Sequence, residues 1–249
     1  MFISEALAFD MYGTLVDPIR IWKQLEKYIP DGAQRIAEIW RQKQLEFTFR
    51  LTAMERYEDF EQVTRKALDY ALVATEHILD AQQKNSLMAQ YNNLERFADV
   101  EPGLQRLKDA GYTMVVFSNG SPAMLSAIMQ AANLERYCSG FVSVDEVKVY
   151  KPSPIVYRHV ANRLGRPLDQ VRLISSNPFD VIGAEAAGMQ AAWVNRSSGL
   201  FDTLASPPEM VIGTLIELAE RLRRWLLPLL LSAAGQHSPL VYCACRVGR

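Results

Sequence analysis

Phe9-Asp10-Met11-Tyr12-Gly13-Thr14-Leu15-Val16-Asp17 is the stretch from which the rest of the chain is read. The apolar run Ala6 to Phe9 before it predicts a buried strand, and Asp17-Pro18 after it predicts a turn. Asp10 therefore stands where a strand stops and a loop begins, the edge at which open α/β sheets bind ligands. A carboxylate in that place can act as a covalent nucleophile. Gly13 lets the loop turn sharply beside a ligand, and Thr14 offers a hydroxyl to orient the carboxylate. An Asp that merely caps the next turn would leave the same trace, so this short motif needs company.

Beyond Pro18 the texture changes. From about Ile19 to Ala98 the chain is rich in Glu, Gln, Lys, Arg, Leu and Ala, with no glycine between Gly32 and Gly103. Apolar residues recur at helical spacing, as in Ile36, Ile39 and Trp40, then Val63, Ala67, Leu68, Ala71 and Leu72. Four or five helices are expected there. Pro102-Gly103 then punctuates, and strands alternate with helices. Strands are expected at Thr113 to Phe117, Phe141 to Val144, Val171 to Ser175 and Ala191 to Val194. Helices are expected at Leu104 to Ala110, after Pro122, at Pro154 to Leu164 and at Val181 to Ala187. That alternation predicts an α/β fold with a parallel sheet. The domain reading is a core of residues 1–16 and 99–223, with a helical cap, 17–98, inserted directly beside Asp10.

Composition narrows the function classes. The 249 residues are 49% hydrophobic and 22% charged, with a net charge of −1, so no general field favours nucleic acid or anionic membrane. Three cysteines make no disulfide framework and fit a reducing cytosol. The start lacks the basic and apolar regions of a secretory signal. The tail, 224–249, has a different texture; its apolar run Trp225 to Leu231 is too short to span a bilayer. Cys243 and Cys245 have the wrong spacing for structural zinc. A mobile appendage is expected, and a reading-frame error near the end of the gene is one explanation of it.

Three further strand ends carry polar residues. Ser118-Asn119-Gly120-Ser121 precedes a helix start that would bind anions, although these side chains could equally serve as caps. Lys151 lies in Tyr150-Lys151-Pro152, held extended by the proline. Ser175-Ser176-Asn177 follows the fourth strand, and Asp180 comes at the start of the next helix, as a ligand group or a helix-terminal charge.

Asp, Ser, Lys and Asp in that order at successive strand ends resemble the haloacid dehalogenase superfamily, over about residues 1 to 220. FDMYGTLVD, Arg41, SNGS at 118–121, VYKPSP at 149–154, Tyr157 and SSNPFD at 175–180 resemble its type II (S)-2-haloacid dehalogenases. The resemblance implies a Rossmann-like core with a helical cap, and an ester intermediate on Asp10. Lys151 would keep Asp10 ionised and Arg41 would receive the halide, with Asn119 assisting. Ser118 and the backbone N–H groups of Met11 and Tyr12 would cradle the substrate carboxylate. Asn177 and Asp180 would position and activate water, with Asp180 as base. Thr14, Ser175 and Tyr157 would fix Asp10 and Lys151. Tyr12, Gln42, Leu45, Phe60 and Phe179 would wall off the alkyl group.

The alternative is a phosphatase of the same superfamily. Those enzymes carry an acid two residues after the nucleophile, where this chain has Tyr12. They also carry an acidic Mg²⁺ ligand at the fourth strand end, where it has Ser175-Ser176-Asn177. A halide leaves without a proton or a metal, so no cofactor and no metal are expected. The expected partner is a small 2-haloacid; the resemblance implies a homodimer through the cap helices, and the scarce cysteines fit a cytoplasmic location.

Overall fold

Four consecutive apolar residues make β1 (Ala6–Phe9), buried at every position, as a strand covered on both faces of a parallel sheet must be. The computed structural model describes residues 5–223; the expectations for the tail and for Cys243 and Cys245 lie outside the described residues. The other strands are β2 (Thr113–Ser118), β3 (Phe141–Ser143), β4 (Val171–Ser175), β5 (Gln190–Val194) and β6 (Met210–Ile212). They form one sheet in the order β3-β2-β1-β4-β5-β6, with every neighbouring pair parallel. Phe9 is level with Val116 of β2 on one side and Ile174 of β4 on the other. Strand order reverses at β1, so the crevice beyond its C-terminal end is the topological switch point where such sheets bind ligands.

Between β1 and β2 the chain runs through a short 3₁₀ turn at Pro18–Ile21 and then α1 (Trp22–Leu25), α2 (Ala33–Ala53), α3 (Phe60–Ala74) and α4 (Ala81–Tyr91). Asp59 caps α3 by accepting the Gln62 N–H, and Asp80 forms a capping box with Gln83 on α4. The stripe expected on α3 is buried, Val63, Ala67, Leu68, Ala71 and Leu72 together, and it packs on α2. Where the insertion leaves and returns, its two linkers are tied to each other. The Asp17 N–H donates to the Glu95 carbonyl at 3.0 Å, and the Phe97 N–H donates to the Leu15 carbonyl at 3.2 Å.

Crossover helices α5 (Val100–Asp109), α6 (Pro122–Ala131), α7 (Pro154–Arg163) and α8 (Pro178–Ala186) complete the core. Three of them begin on proline, whose fixed φ suits a first helical position and whose missing N–H is not needed there. Each start keeps the preceding polar residues, Ser121, Ser153 and Asn177, at the sheet edge.

Two boundaries differ from expectation for the same physical reason. Helix α5 starts at Val100, so Pro102 and Gly103 sit inside its first turn instead of ahead of it. Helix α8 starts at Pro178, three residues ahead of the expected Val181, with Asp180 at its start as expected. Amides of a first turn have no intrahelical acceptor, so proline is tolerated there. Strand β6 went unanticipated because three residues after a proline-containing loop give too short a pattern to read.

Gly103 is a close-approach glycine. An added Cβ would lie 2.5 Å from the Leu215 Cβ and 2.7 Å from its backbone carbonyl carbon, where the chain becomes helical again at 215–223. Glycine to alanine inside a helix is ordinarily stabilising by about 1 kcal/mol. Here overpacking, typically about 1–3 kcal/mol, prevails. Gly103→Ala is therefore expected to lower stability in urea unfolding, with an unchanged or raised midpoint as the contrary result.

Candidate active site

The C-terminal ends of β2, β1 and β4 are neighbours, so Ser118, Asp10 and Ser175 emerge side by side. Asp10 is 6% exposed, Lys151 1% and Asp180 0%. Lys151 arrives from the loop after β3, its Nζ donating to Asp10 Oδ1 at 3.2 Å, Asp180 Oδ2 at 2.9 Å and the Phe117 carbonyl at 2.8 Å. All three ammonium protons are thus placed, and the Phe117 ring lies beneath the charge, 4.1 Å from centroid to Nζ. The Lys151–Pro152 peptide bond is cis. The Lys151 N–H donates to Asn119 Oδ1 at 3.1 Å, which leaves the Asn119 amide group as what that side chain can offer a ligand.

The second Asp10 oxygen, Oδ2, accepts from the Thr14 hydroxyl at 3.1 Å and from the Asn177 amide at 2.8 Å. Thr14 Oγ1 in turn accepts the Ser176 N–H at 2.9 Å, and the Ser176 hydroxyl donates to the Gly13 carbonyl at 2.6 Å. Ser176 thus laces the first loop to the fourth, a role that the sequence reading did not assign to it. Gly13 sits at φ 91° with an added Cβ only 3.3 Å from Ser176 Oγ, so the turn requires glycine on both counts.

Asp180 is held on its far side by Tyr157, whose hydroxyl donates to Oδ1 at 2.8 Å and reaches the Asp180 carbonyl at 3.1 Å. Burial pushes the Asp180 carboxyl above its ordinary value; Lys151 opposes the rise and Asp10 adds to it. Tyr157 was expected to fix Asp10 and Lys151, yet its hydrogen bonds go to Asp180. Ser175 likewise acts on the loop: its Oγ accepts the Asn177 N–H at 3.2 Å. The buried Ser118 accepts the Gly120 N–H at 3.2 Å, so its own hydroxyl proton has no protein acceptor among the described residues.

Arg41 comes from α2. Its guanidinium donates to the Tyr12 carbonyl at 3.1 Å, the same oxygen that accepts from Asn177 at 3.1 Å, and to Gln44 Oε1 at 2.7 Å. The Tyr12 ring is wedged between Phe60 and Tyr91, with centroids 5.3 and 5.7 Å away. Its hydroxyl is buried without a partner among the described residues, and burial holds that phenol far above its usual value. Met11 is buried in the same loop. Phe179 meets Phe49 of α2 edge to face at 5.0 Å, and Leu45 is half-buried. Gln42 departs from expectation: it is exposed, whereas Gln44 two residues on is sealed.

The insertion is also fastened to the loop that carries Lys151. Tyr150 donates its hydroxyl to the Glu58 carbonyl at 2.5 Å, and its N–H to Thr52 Oγ1 at 3.2 Å. Tyr57 stacks on Tyr150 at 5.2 Å and donates to Asp145 at 2.7 Å. None of these residues was singled out from the sequence.

The two carboxylates Asp10 and Asp180 flank an ammonium, so the donor set does not fit a divalent cation, which requires several convergent hard oxygens. Among the described residues no cluster of three or more His, Cys, Asp or Glu side chains is placed to hold one.

A family model described as haloacid dehalogenase-like hydrolase matches residues 5–188. The chain is 36% identical over 220 residues to (S)-2-haloacid dehalogenase 1 of Pseudomonas sp. (strain CBS-3), covering 88% of this chain and 97% of that one. It is 33% identical over 216 residues to the (S)-2-haloacid dehalogenase of Pseudomonas sp. (strain YL), covering 87% and 93%. Its structure matches L-2-haloacid dehalogenase from Xanthobacter autotrophicus with chloropropionic acid covalently bound, at a TM-score of 0.83 and 32% identity, over 89% of this chain and 99% of that one. Sequence and fold agree over nearly the full length of these proteins, and the chain belongs to the haloacid dehalogenase-like hydrolase family.

Proposed function

We propose that this protein is an (S)-2-haloacid dehalogenase that hydrolyses short-chain L-2-haloalkanoic acids to (R)-2-hydroxy acids and halide. The observation that carries this reading is the Lys151 ammonium held between Asp10 and Asp180, with Tyr12 where a phosphatase would need an acid. The relatives named (S)-2-haloacid dehalogenase, and a neighbour holding chloropropionic acid covalently, support it.

In the first step Asp10 attacks C2 in line with the carbon–halogen bond, forming an ester as halide departs. Lys151, Thr14 and Asn177 hold the carboxylate fixed in direction through hydrogen bonds to both of its oxygens. Arg41 receives the halide, with the Asn119 amide beside it. The Ser118 hydroxyl and the Met11 and Tyr12 N–H groups hold the substrate carboxylate. Two unit charges ~4 Å apart repel by about 4 kcal/mol at an effective dielectric near 20. Without these cations and donors, a second carboxylate would be rejected from the pocket.

In the second step Asp180 takes a proton from a water that Asn177 positions, and the water oxygen adds to the Asp10 side-chain carbonyl carbon. The Cγ–O bond to the product breaks, the product alkoxide takes back the proton held by Asp180, and the second water proton is lost from the new Asp10 carboxyl to solvent, which regenerates both carboxylates. Tyr157 and Ser175 act through Asp180 and Asn177. Tyr12, Leu45, Phe60 and Phe179 line the alkyl group, with Phe179 limiting its size from the side of Phe49.

Residues 17–98 serve as the cap, opening to admit substrate into a site that is sealed when closed. Met54, just past the end of α2, and Tyr70 and Val73 on α3 are exposed, apolar surface that supports a homodimer through the cap. The buried, unpaired thiol of Cys138 fits the reducing cytoplasm; among the described residues no helix is long and apolar enough to cross a membrane.

L-2-Chloropropionate is expected to give chloride and (R)-lactate, read by chiral chromatography; (S)-lactate or no chloride contradicts the reading. Asp180 must be ionised to act as base, and its carboxyl is raised. Activity is therefore present above that raised value and is lost as pH falls through it, so the acid limb of kcat lies above the ordinary carboxylate range. Tyr157→Phe removes a hydrogen bond that favours the charged form, and should move that limb to higher pH. A limb that is unmoved or lowered would count against Asp180 as the base.

A further inference from the structure

Gln44 lies one helical turn beyond Arg41 on α2, fully buried in the helical insertion. A buried amide is tolerated only when its donors and acceptors are matched, and here the matching fixes its direction. The Thr64 hydroxyl donates to the Phe60 carbonyl at 2.6 Å, so towards Gln44 it acts as acceptor, taking a hydrogen from the amide nitrogen at 2.6 Å. With its nitrogen turned to Thr64, Gln44 presents Oε1 the other way. That oxygen accepts from Arg41 at 2.7 Å and from the Tyr91 hydroxyl at 3.1 Å. Burial raises the Tyr91 phenol, so it stays a donor.

The guanidinium therefore has two neutral acceptors, Gln44 Oε1 and the Tyr12 carbonyl. Among the described residues no carboxylate lies within salt-bridge distance of Arg41, whereas nine of the sixteen described arginines pair with one. A neutral acceptor orients a cation without cancelling its charge. A carboxylate in the same place would orient it and also neutralise it.

We infer that Gln44 is the positioning residue that aims the Arg41 guanidinium at the Asp10 loop while leaving its positive charge free for a departing halide. This rests on the dehalogenase reading above. The residue acts through Arg41 and does not touch substrate. It sets how much help the leaving group receives, so its loss should tell more on a poor leaving group than on a good one. A merely structural residue would slow both alike.

The test compares single-turnover halide release from L-2-chloropropionate and L-2-bromopropionate in the full chain, its Gln44→Glu and Gln44→Met variants, and Trp40→Phe. Trp40 serves as comparator because its indole N–H donates to the Thr64 carbonyl at 2.8 Å and its ring packs on Tyr91 at 5.3 Å, so its loss perturbs the surroundings of Gln44 while leaving the Gln44–Arg41 hydrogen bond in place. Circular dichroism and Tm are recorded for each. Hydrogen bonds to charged groups predict a loss of about ten- to a hundredfold on the chloro acid for both Gln44 variants. The loss on the bromo acid should be several-fold smaller. Chloride inhibition should weaken most in Gln44→Glu, where the new carboxylate competes for Arg41. Trp40→Phe should leave the chloro-to-bromo ratio at its starting value. An unchanged ratio in both Gln44 variants, or an equal fall in Trp40→Phe, overturns the inference. Absence of halide release from the unaltered chain would instead overturn the dehalogenase reading itself.

Discussion

The Lys151 ammonium holds the site together. Two carboxylates, Asp10 and Asp180, are buried on either side of it, and burying charged groups is costly unless they are paired. Removing one partner of such a buried pair typically costs about 3–5 kcal/mol, a large share of the ~5–15 kcal/mol by which a domain is stable. Lys151 is therefore a structural and a chemical residue at once. Its remaining proton goes to the Phe117 carbonyl at the end of β2, so the ammonium also joins the four loops into one body. Desolvation, which raises Asp180, and the field of Lys151, which lowers it, act on the same carboxyl. The balance leaves the carboxyl above its ordinary value.

That arrangement presupposes the sheet order. With β1 between β2 and β4, residues far apart in sequence come together because each stands at the same end of a parallel strand. Proline at the first position of α6, α7 and α8 stops each polar loop at that edge. The helical insertion then covers it, and the Tyr150 hydrogen bonds to Thr52 and Glu58 couple its position to the residue next to Lys151. The position of the helical insertion and the placement of the ammonium are thereby linked through one tyrosine.

Most of the fold was legible in the sequence because its signals are local. Apolar runs ended by Asp, Ser or Asn predicted five of the six strands, and β1 and β4 have the expected bounds. Asp10, Ser118, Ser175 and Asn177 at strand ends, Lys151 in the loop after β3 and Asp180 in the first turn of α8 were readable for the same reason. What escaped were partners, which no local pattern encodes. Ser176 looks like its neighbours until its bonds to Thr14 and Gly13 are seen. Gln44 and Gln42 are indistinguishable in a run of Glu, Gln and Lys; only helical phase against Thr64 separates a buried amide from an exposed one. Tyr157 and Ser175 were associated with the right site, but their hydrogen bonds go to Asp180 and Asn177. Strand β6 was too short to register.

The central claim is that the oxygen delivered to the product comes from Asp10, with water replenishing the carboxylate afterwards. One turnover of L-2-chloropropionate by excess enzyme in ¹⁸O-labelled water, followed by mass spectrometry of lactate and of the peptide containing Asp10, tests it most directly. The account predicts unlabelled lactate and one ¹⁸O in the Asp10 carboxylate. Label in the first-turnover lactate, with an unlabelled Asp10 peptide, would mean that water attacks C2 directly and would contradict it.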